Sequence, residues 1–122
     1  MANWIDVGAA TDFPPGAKAC VSAGGQPVVV CHVQGPAPLP GAAALAEGET
    51  RLCAVLNVCP HAGLPLGDGE LNGLVLTCPY HGYAYNVATG TNVDFPRDEP
   101  PVPRLPVRVR DGRVDVDVEG RE

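Results

Sequence analysis

Two short segments of this chain combine thiols with imidazoles: Cys59-Pro60-His61 and Cys78-Pro79-Tyr80-His81, with sixteen residues between His61 and Cys78. Each offers one thiolate and one imidazole where an apolar run gives way to a loop. A glycine follows in both, Gly63 and Gly82, so the backbone can approach an anionic centre closely. Soft thiolates and imidazoles suit zinc, copper or iron–sulfur centres and suit magnesium or calcium poorly. Cys and His at strand ends are often only buried thiols and satisfied imidazoles. That reading does not account for four of them in paired units with proline after each cysteine. A Cys₂His₂ set is a normal tetrahedral zinc site and would make the chain a zinc-stabilised interaction module. Against zinc, Cys-x-His places two ligands closer in sequence than zinc fingers usually do.

The elements that must position these residues read as short strands. Residues 4–7 suggest a first strand, and 17–22 with 27–33 a hairpin around Ala23-Gly24-Gly25, a glycine pair that tolerates positive φ. Residues 51–58 form a strand that delivers the chain to Cys59, 73–77 one that enters Cys78, and 83–87 one that leaves the second segment for a turn at Ala88-Thr89-Gly90. Between the second and third apolar runs, residues 34–50 are rich in Pro, Gly and Ala and too long for a hairpin connection. A projecting loop is expected there, with at most a helical turn at 42–47. The stretch 95–106 holds Pro96, Pro100, Pro101, Pro103 and Pro106, which remove donors and forbid a helix, leaving a stiff extended loop. At the C-terminus Asp111-Gly112 separates two runs in which Val alternates with charge, the strongest short hairpin signal. A two-residue turn sets Val109 opposite Val114, Val107 opposite Val116, Arg108 opposite Asp115 and Arg110 opposite Arg113.

The chain of 122 residues suits one domain, 45% hydrophobic, with 15 Gly and 14 Pro breaking Val-rich runs into an all-β pattern. A net charge of −6 without a basic patch argues against nucleic acid and against anionic membrane surfaces. No apolar run is long enough to span a bilayer or serve as a signal peptide, so a cytoplasmic protein is expected. Five cysteines in such a chain point to metal or free thiols before disulfides. Cys20, Cys31 and Cys53 lie in expected strands and read as buried free thiols, with Cys31 and Cys53 facing one another if register is simple. His32 reads as a strand-face imidazole, and Trp4 as core packing.

The pattern Cys59-x-His61 with Cys78-x-x-His81 resembles the Rieske signature, in which two Cys hold one iron and two His the other. Cys59-Pro-His-Ala-Gly-Leu-Pro-Leu-Gly and Cys78-Pro-Tyr-His-Gly-Tyr-Ala-Tyr-Asn look like the stand-alone Rieske ferredoxins of bacterial aromatic-ring oxygenase systems. The likeness runs on through Thr89-Gly90, residues 96–103 and 107–118, and more weakly through the N-terminal strands. Residues 34–50 look like an insertion. The resemblance implies an all-β Rieske fold, an antiparallel strand base bearing a small cluster-binding subdomain at roughly 56–95. It implies one [2Fe–2S] cluster with Cys59 and Cys78 on the inner iron and His61 and His81 on the outer. Residues 96–103 would cover the cluster as a third loop. Respiratory-chain Rieske proteins carry a disulfide where this chain has Leu64 and Tyr80, and a sulfide-bonding serine where it has Tyr83. Tyr85 matches the family's sulfur-bonding tyrosine.

These departures favour a ferredoxin over a respiratory subunit. The implied function is single-electron transfer from a flavin-dependent reductase to a terminal oxygenase or similar redox enzyme, not catalysis. An oxygenase catalytic subunit would need two more His and a carboxylate on a further iron, and only His32 remains. The small subunit of an assimilatory nitrite reductase also resembles this fold. In that group the ligands are often lost, whereas all four are present here.

Overall fold

A computed structural model describes residues 3–34, 50–58, 65–79, 82–87, 89–95, 97–98 and 100–120. Among them the chain forms ten strands and one 3₁₀ turn, with no α-helix. In chain order these are β1 (Trp4–Ala9), the 3₁₀ turn (Ala10–Asp12), β2 (Lys18–Ala23), β3 (Gln26–Gln34), β4 (Thr50–Leu56), β5 (Glu70–Asn72), β6 (Val75–Thr77), β7 (Ala84–Asn86), β8 (Arg104–Leu105), β9 (Val107–Arg110) and β10 (Arg113–Asp117). They make three antiparallel sheets, ordered β1-β10-β9, β2-β3-β4-β8 and β5-β6-β7. No helix of the described residues is long and apolar enough to cross a membrane.

The first two sheets form the base, with β1 lying against β2 and β9 against β4. Between them sits one apolar cluster: Phe13, Val28, Val30, Ala54, Leu105, Val114 and Val116. Side chains alternate across a strand, so the intervening residues of β3 and β4 face the other way. Val29, Cys31, Val33, Cys53 and Val55 thus meet Leu66, Leu74, Leu76, Tyr85, Val87 and Val102 in a second cluster. The third sheet and the loops around it stand on that outer face. The middle two strands of the base are therefore buried on both sides, which is why 28–31 reads as a continuous apolar run.

The C-terminal hairpin has the register its turn demands: Arg110 opposite Arg113, Val109 opposite Val114, Arg108 opposite Asp115, Val107 opposite Val116. Asp111 at φ 52° and Gly112 at φ 75° give the left-handed pair of a type I′ turn. Arg108 Nε bonds Asp115 Oδ2 at 3.1 Å, and its guanidinium lies 4.2 Å from the Trp4 ring centroid. Trp4 is consequently not core packing, as expected from sequence, but a cover for Arg108 on the outer face. Arg113 turns from Arg110 to Asp6, bonding both carboxylate oxygens at 2.9 and 3.0 Å and holding that carboxyl below its ordinary range.

Two strands were not anticipated. β5 precedes β6 through the two-residue turn Gly73-Leu74, and β8 interrupts the proline-rich stretch to pair Leu105 with Ala54 and Arg104 with Val55. The expected loop at 34–50 lies outside the described residues apart from its ends, and the turn at 88–90 lies partly outside them.

Candidate metal centre

The second Cys/His segment begins where β6 ends. Cys78 is wholly buried, its thiol free, in the same cluster as Leu76 and Tyr85. The loop it opens closes on itself: Cys78 N–H donates to Tyr83 O at 2.6 Å and Gly82 N–H to Cys78 O at 3.0 Å. Gly82 sits at φ +73°, and among the described residues no atom lies within 4 Å of where its Cβ would be. A left-handed residue is thus what turns the chain back, and glycine supplies it without strain. A cleft of about 410 Å³ opens beside Cys78, lined also by Asp68, Glu70, Thr77 and Gly82. His81 lies outside the described residues, as do Cys59 and His61.

The first segment is framed by its two ends. β4 stops at Leu56, whose N–H donates to Pro103 O at 3.0 Å, and Asn57 N–H donates to Pro27 O at 2.9 Å. The Asn57 side chain then reaches across ten positions, its Oδ1 accepting the Gly67 N–H at 2.7 Å. Leu66, just before Gly67, is buried in the outer cluster. The stretch carrying Cys59 and His61 therefore leaves and re-enters the described fold at one point, the Asn57–Gly67 bond.

The third stretch is held at both ends. Asn92 Oδ1 accepts the N–H groups of Asp94 and Phe95 at 3.0 and 2.9 Å, an Asx turn that aims the chain into the proline-rich segment. At the far end Val102 N–H donates to Gly90 O at 2.8 Å, so close that a Cβ on Gly90 would strike Val102 O. Phe95 is 46% exposed and meets Tyr83 edge to face at 6.2 Å. Asn57 and Asn92 escaped sequence reading. For Asn92 the Asn-x-x-Phe-Pro spacing was a usable signal, whereas nothing local marks Asn57.

The remaining candidates separate from this region. Cys31 and Cys53 are buried and free, whereas Cys20 is exposed, correcting the expectation that all three are buried. Burial pushes the Cys31 thiol up to about 12 and the Cys53 thiol to about 11. Among the described residues no three Cys, His, Asp or Glu side chains come together as a metal-holding group. His32 Nδ1 bonds Phe13 O at 2.5 Å, the strand-face role expected of it.

The donor chemistry around Cys78 fits an iron–sulfur centre. The thiol is buried, which suits a ligand on the shielded side of a cluster. It opens on a cleft, and it stands at a turn whose glycine leaves space for a close approach.

Comparison with known proteins is in keeping with that chemistry. Residues 3–110 match the Rieske [2Fe-2S] domain. The chain is 32% identical over 112 residues to Ferredoxin CarAc of Metapseudomonas resinovorans, covering 91% of this chain and 90% of that protein. It superposes with TM-score 0.75 on a chain in the complex of reduced oxygenase and oxidized ferredoxin in carbazole 1,9a-dioxygenase, at 31% identity, covering 96% of this chain and 94% of that one. A putative NADH-dependent nitrite reductase small subunit from Mycobacterium tuberculosis shares the fold at TM-score 0.69 and 23% identity, covering 95% of each chain.

Proposed function

The chain belongs to the Rieske [2Fe-2S] domain family, and from that premise we propose that Cys59, His61, Cys78 and His81 hold its cluster and that it serves a terminal oxygenase. The protein is an electron carrier with a Rieske-type [2Fe–2S] cluster, not a catalyst. When bound, the cluster supplies a one-electron couple. The chain's own residues hold it and shield it. Cys59 and Cys78 serve the inner iron as thiolates and His61 and His81 the outer as imidazoles, within a subdomain at roughly 56–95 that residues 96–103 cover. Electrons arrive from a flavin-dependent reductase and leave to a terminal oxygenase or similar redox enzyme, in the cytoplasm. The observation that carries this reading is the buried, free Cys78 at the closed neck of its loop. The nitrite reductase subunit offers a shared fold alone, and the full ligand set speaks against that role.

Purified protein tests the proposal. A red-brown colour, a Rieske-type EPR signal on reduction, and electron delivery from a ferredoxin reductase to a ring-hydroxylating oxygenase are expected. A colourless zinc protein would end it. Cell fractionation tests the compartment.

A further inference from the structure

The three thiols outside the two segments, the net negative charge, a cleft lined by Arg51, Cys53 and Arg104, and the neck of the first Cys/His segment all lie outside what the function above uses. The neck carries the most, because three contacts from two distant parts of the chain converge on one residue. Gly67 N–H is bound by Asn57 Oδ1 at 2.7 Å. Gly67 O accepts from Lys18 Nζ at 2.6 Å, across 49 positions of sequence. On its remaining side Gly67 meets the Cys20 thiol, so that an added Cβ would collide with Sγ. Lys18 and Cys20 are alternate residues of β2 and share its outer face.

We propose that Lys18, Asn57 and the glycine seat at Gly67 form a clasp that fixes the segment bearing Cys59 and His61 against the base, making Lys18 and Asn57 positioning residues for the cluster. The inference rests on the ligand reading above. Two ligands come from each segment, so the cluster geometry depends on how the two segments sit relative to each other. The second is set by its own hairpin neck, Cys78 to Tyr83. Among the described residues the first shows no such local pair, and its ends are tied by Asn57 and by the long-range Lys18 bond. A hydrogen bond from a charged donor is worth more than a neutral one and is costly to leave unmade. The absence of a side chain at Gly67 is what lets β2 come this close. Its φ lies outside the left-handed region, so contact and not backbone strain selects glycine here.

The test uses the cluster-loaded protein. Lys18→Met keeps the stem and removes the donor. It should speed cluster loss to an iron chelator roughly tenfold, about 1.4 kcal/mol, and alter the EPR g-anisotropy and reduction potential. The thermal unfolding of the base should move far less. Gly67→Ala should do the same, and Gly67→Ala with Cys20→Ala, which removes the colliding sulfur, should recover much of the lost retention. Unchanged loss rates, g-values and potentials in Lys18→Met and Gly67→Ala would overturn the clasp while leaving the ligand set standing. So would a double variant no better than Gly67→Ala. A wild-type protein without a Rieske signal would instead overturn the ligand reading, and the clasp with it.

Discussion

Cys31 and Cys53 stand directly opposite one another on β3 and β4, both buried and both free. His32 directs its N–H and C=O toward the 16–17 segment ahead of β2, and Leu56 directs its N–H to Pro103 beyond β4's other edge. By alternation the polar groups of Cys31 and Cys53 point at each other, which makes them a hydrogen-bonded pair. Such pairs hold their Cβ atoms at the wide end of the cross-strand range, about 5.5 Å, whereas a disulfide needs about 3.8 Å. Facing thiols and an absent bridge thus have one cause.

These thiols predict a loss of stability at high pH. From an ordinary value of 9.0, Cys31 is raised to about 12 by burial first and then by Cys53, and Cys53 to about 11 by burial. The folded state keeps its protons where the unfolded chain has lost them. The contribution is therefore fully present below pH 9 and declines as pH rises toward the folded values, by up to about 1.4 kcal/mol per pH unit for each thiol. Urea denaturation between pH 8 and about 11 should show the decline, and a Cys31→Ala/Cys53→Ala variant should show a shallower one. Equal slopes would refute the assignment.

Ligand assignment separates cleanly by substitution. Cys59→Ser and Cys78→Ser should abolish the visible and EPR spectra, while Cys20→Ser should leave both unchanged. Loss of the cluster on the Cys20 change alone would mean that the ligand set is wrong.

Asp115 is 6% exposed and is bonded by Arg108, whose guanidinium also lies over Trp4. Arg108→Ala leaves that carboxylate without its partner and uncovers the indole. A destabilisation of about 1–3 kcal/mol is expected, read as a lower urea midpoint at unchanged slope. Arg113→Ala removes an ion pair whose side chains are 52% and 49% exposed. It should shift the urea midpoint far less than Arg108→Ala does, and the small effect should fade in salt.

Partner docking is expected over the imidazole side, around His61, His81 and residues 96–103. Phe95, 46% exposed at the start of that stretch, is expected to be its aromatic anchor, and truncating it should slow electron delivery by about tenfold or more. Charge reversal at Arg97 or Asp98 should alter reduction rates and their salt dependence, as rim charges do. Stopped-flow reduction across ionic strengths would decide it; invariant rates in all three variants would place docking elsewhere.

What could be read from sequence was whatever is decided locally. The Asp111-Gly112 turn dictates its own register, so every pair of that hairpin was legible in advance. The Cys/His spacing named the chemistry for the same reason. β5 and β8 were missed because, unlike β6 and β7, such short strands lie in no apolar run of their own and exist only through their partners, Leu76 and Ala54 among them. Trp4 was misplaced because hydrophobicity alone does not say that an arginine on another strand will stack on it. The bond from Lys18 to Gly67 joins positions 49 apart, and no periodicity or turn chemistry encodes such a meeting.

The alternation along β3 and β4 carries a further meaning for how this molecule can change. Val28, Val30 and Ala54 belong to one interior, and Val29, Cys31 and Val55 to the other, so the two strands are a party wall between two rooms. Slipping either by a single residue would exchange the occupants of both at once. Insertions inside β3 or β4 should therefore be among the least tolerated in the chain. For the same reason, a peptide of residues 56–95 alone would lack its floor: Val29, Cys31, Val33 and Cys53 all come from outside it. A miniature carrier cut from this protein would have to take the wall with it.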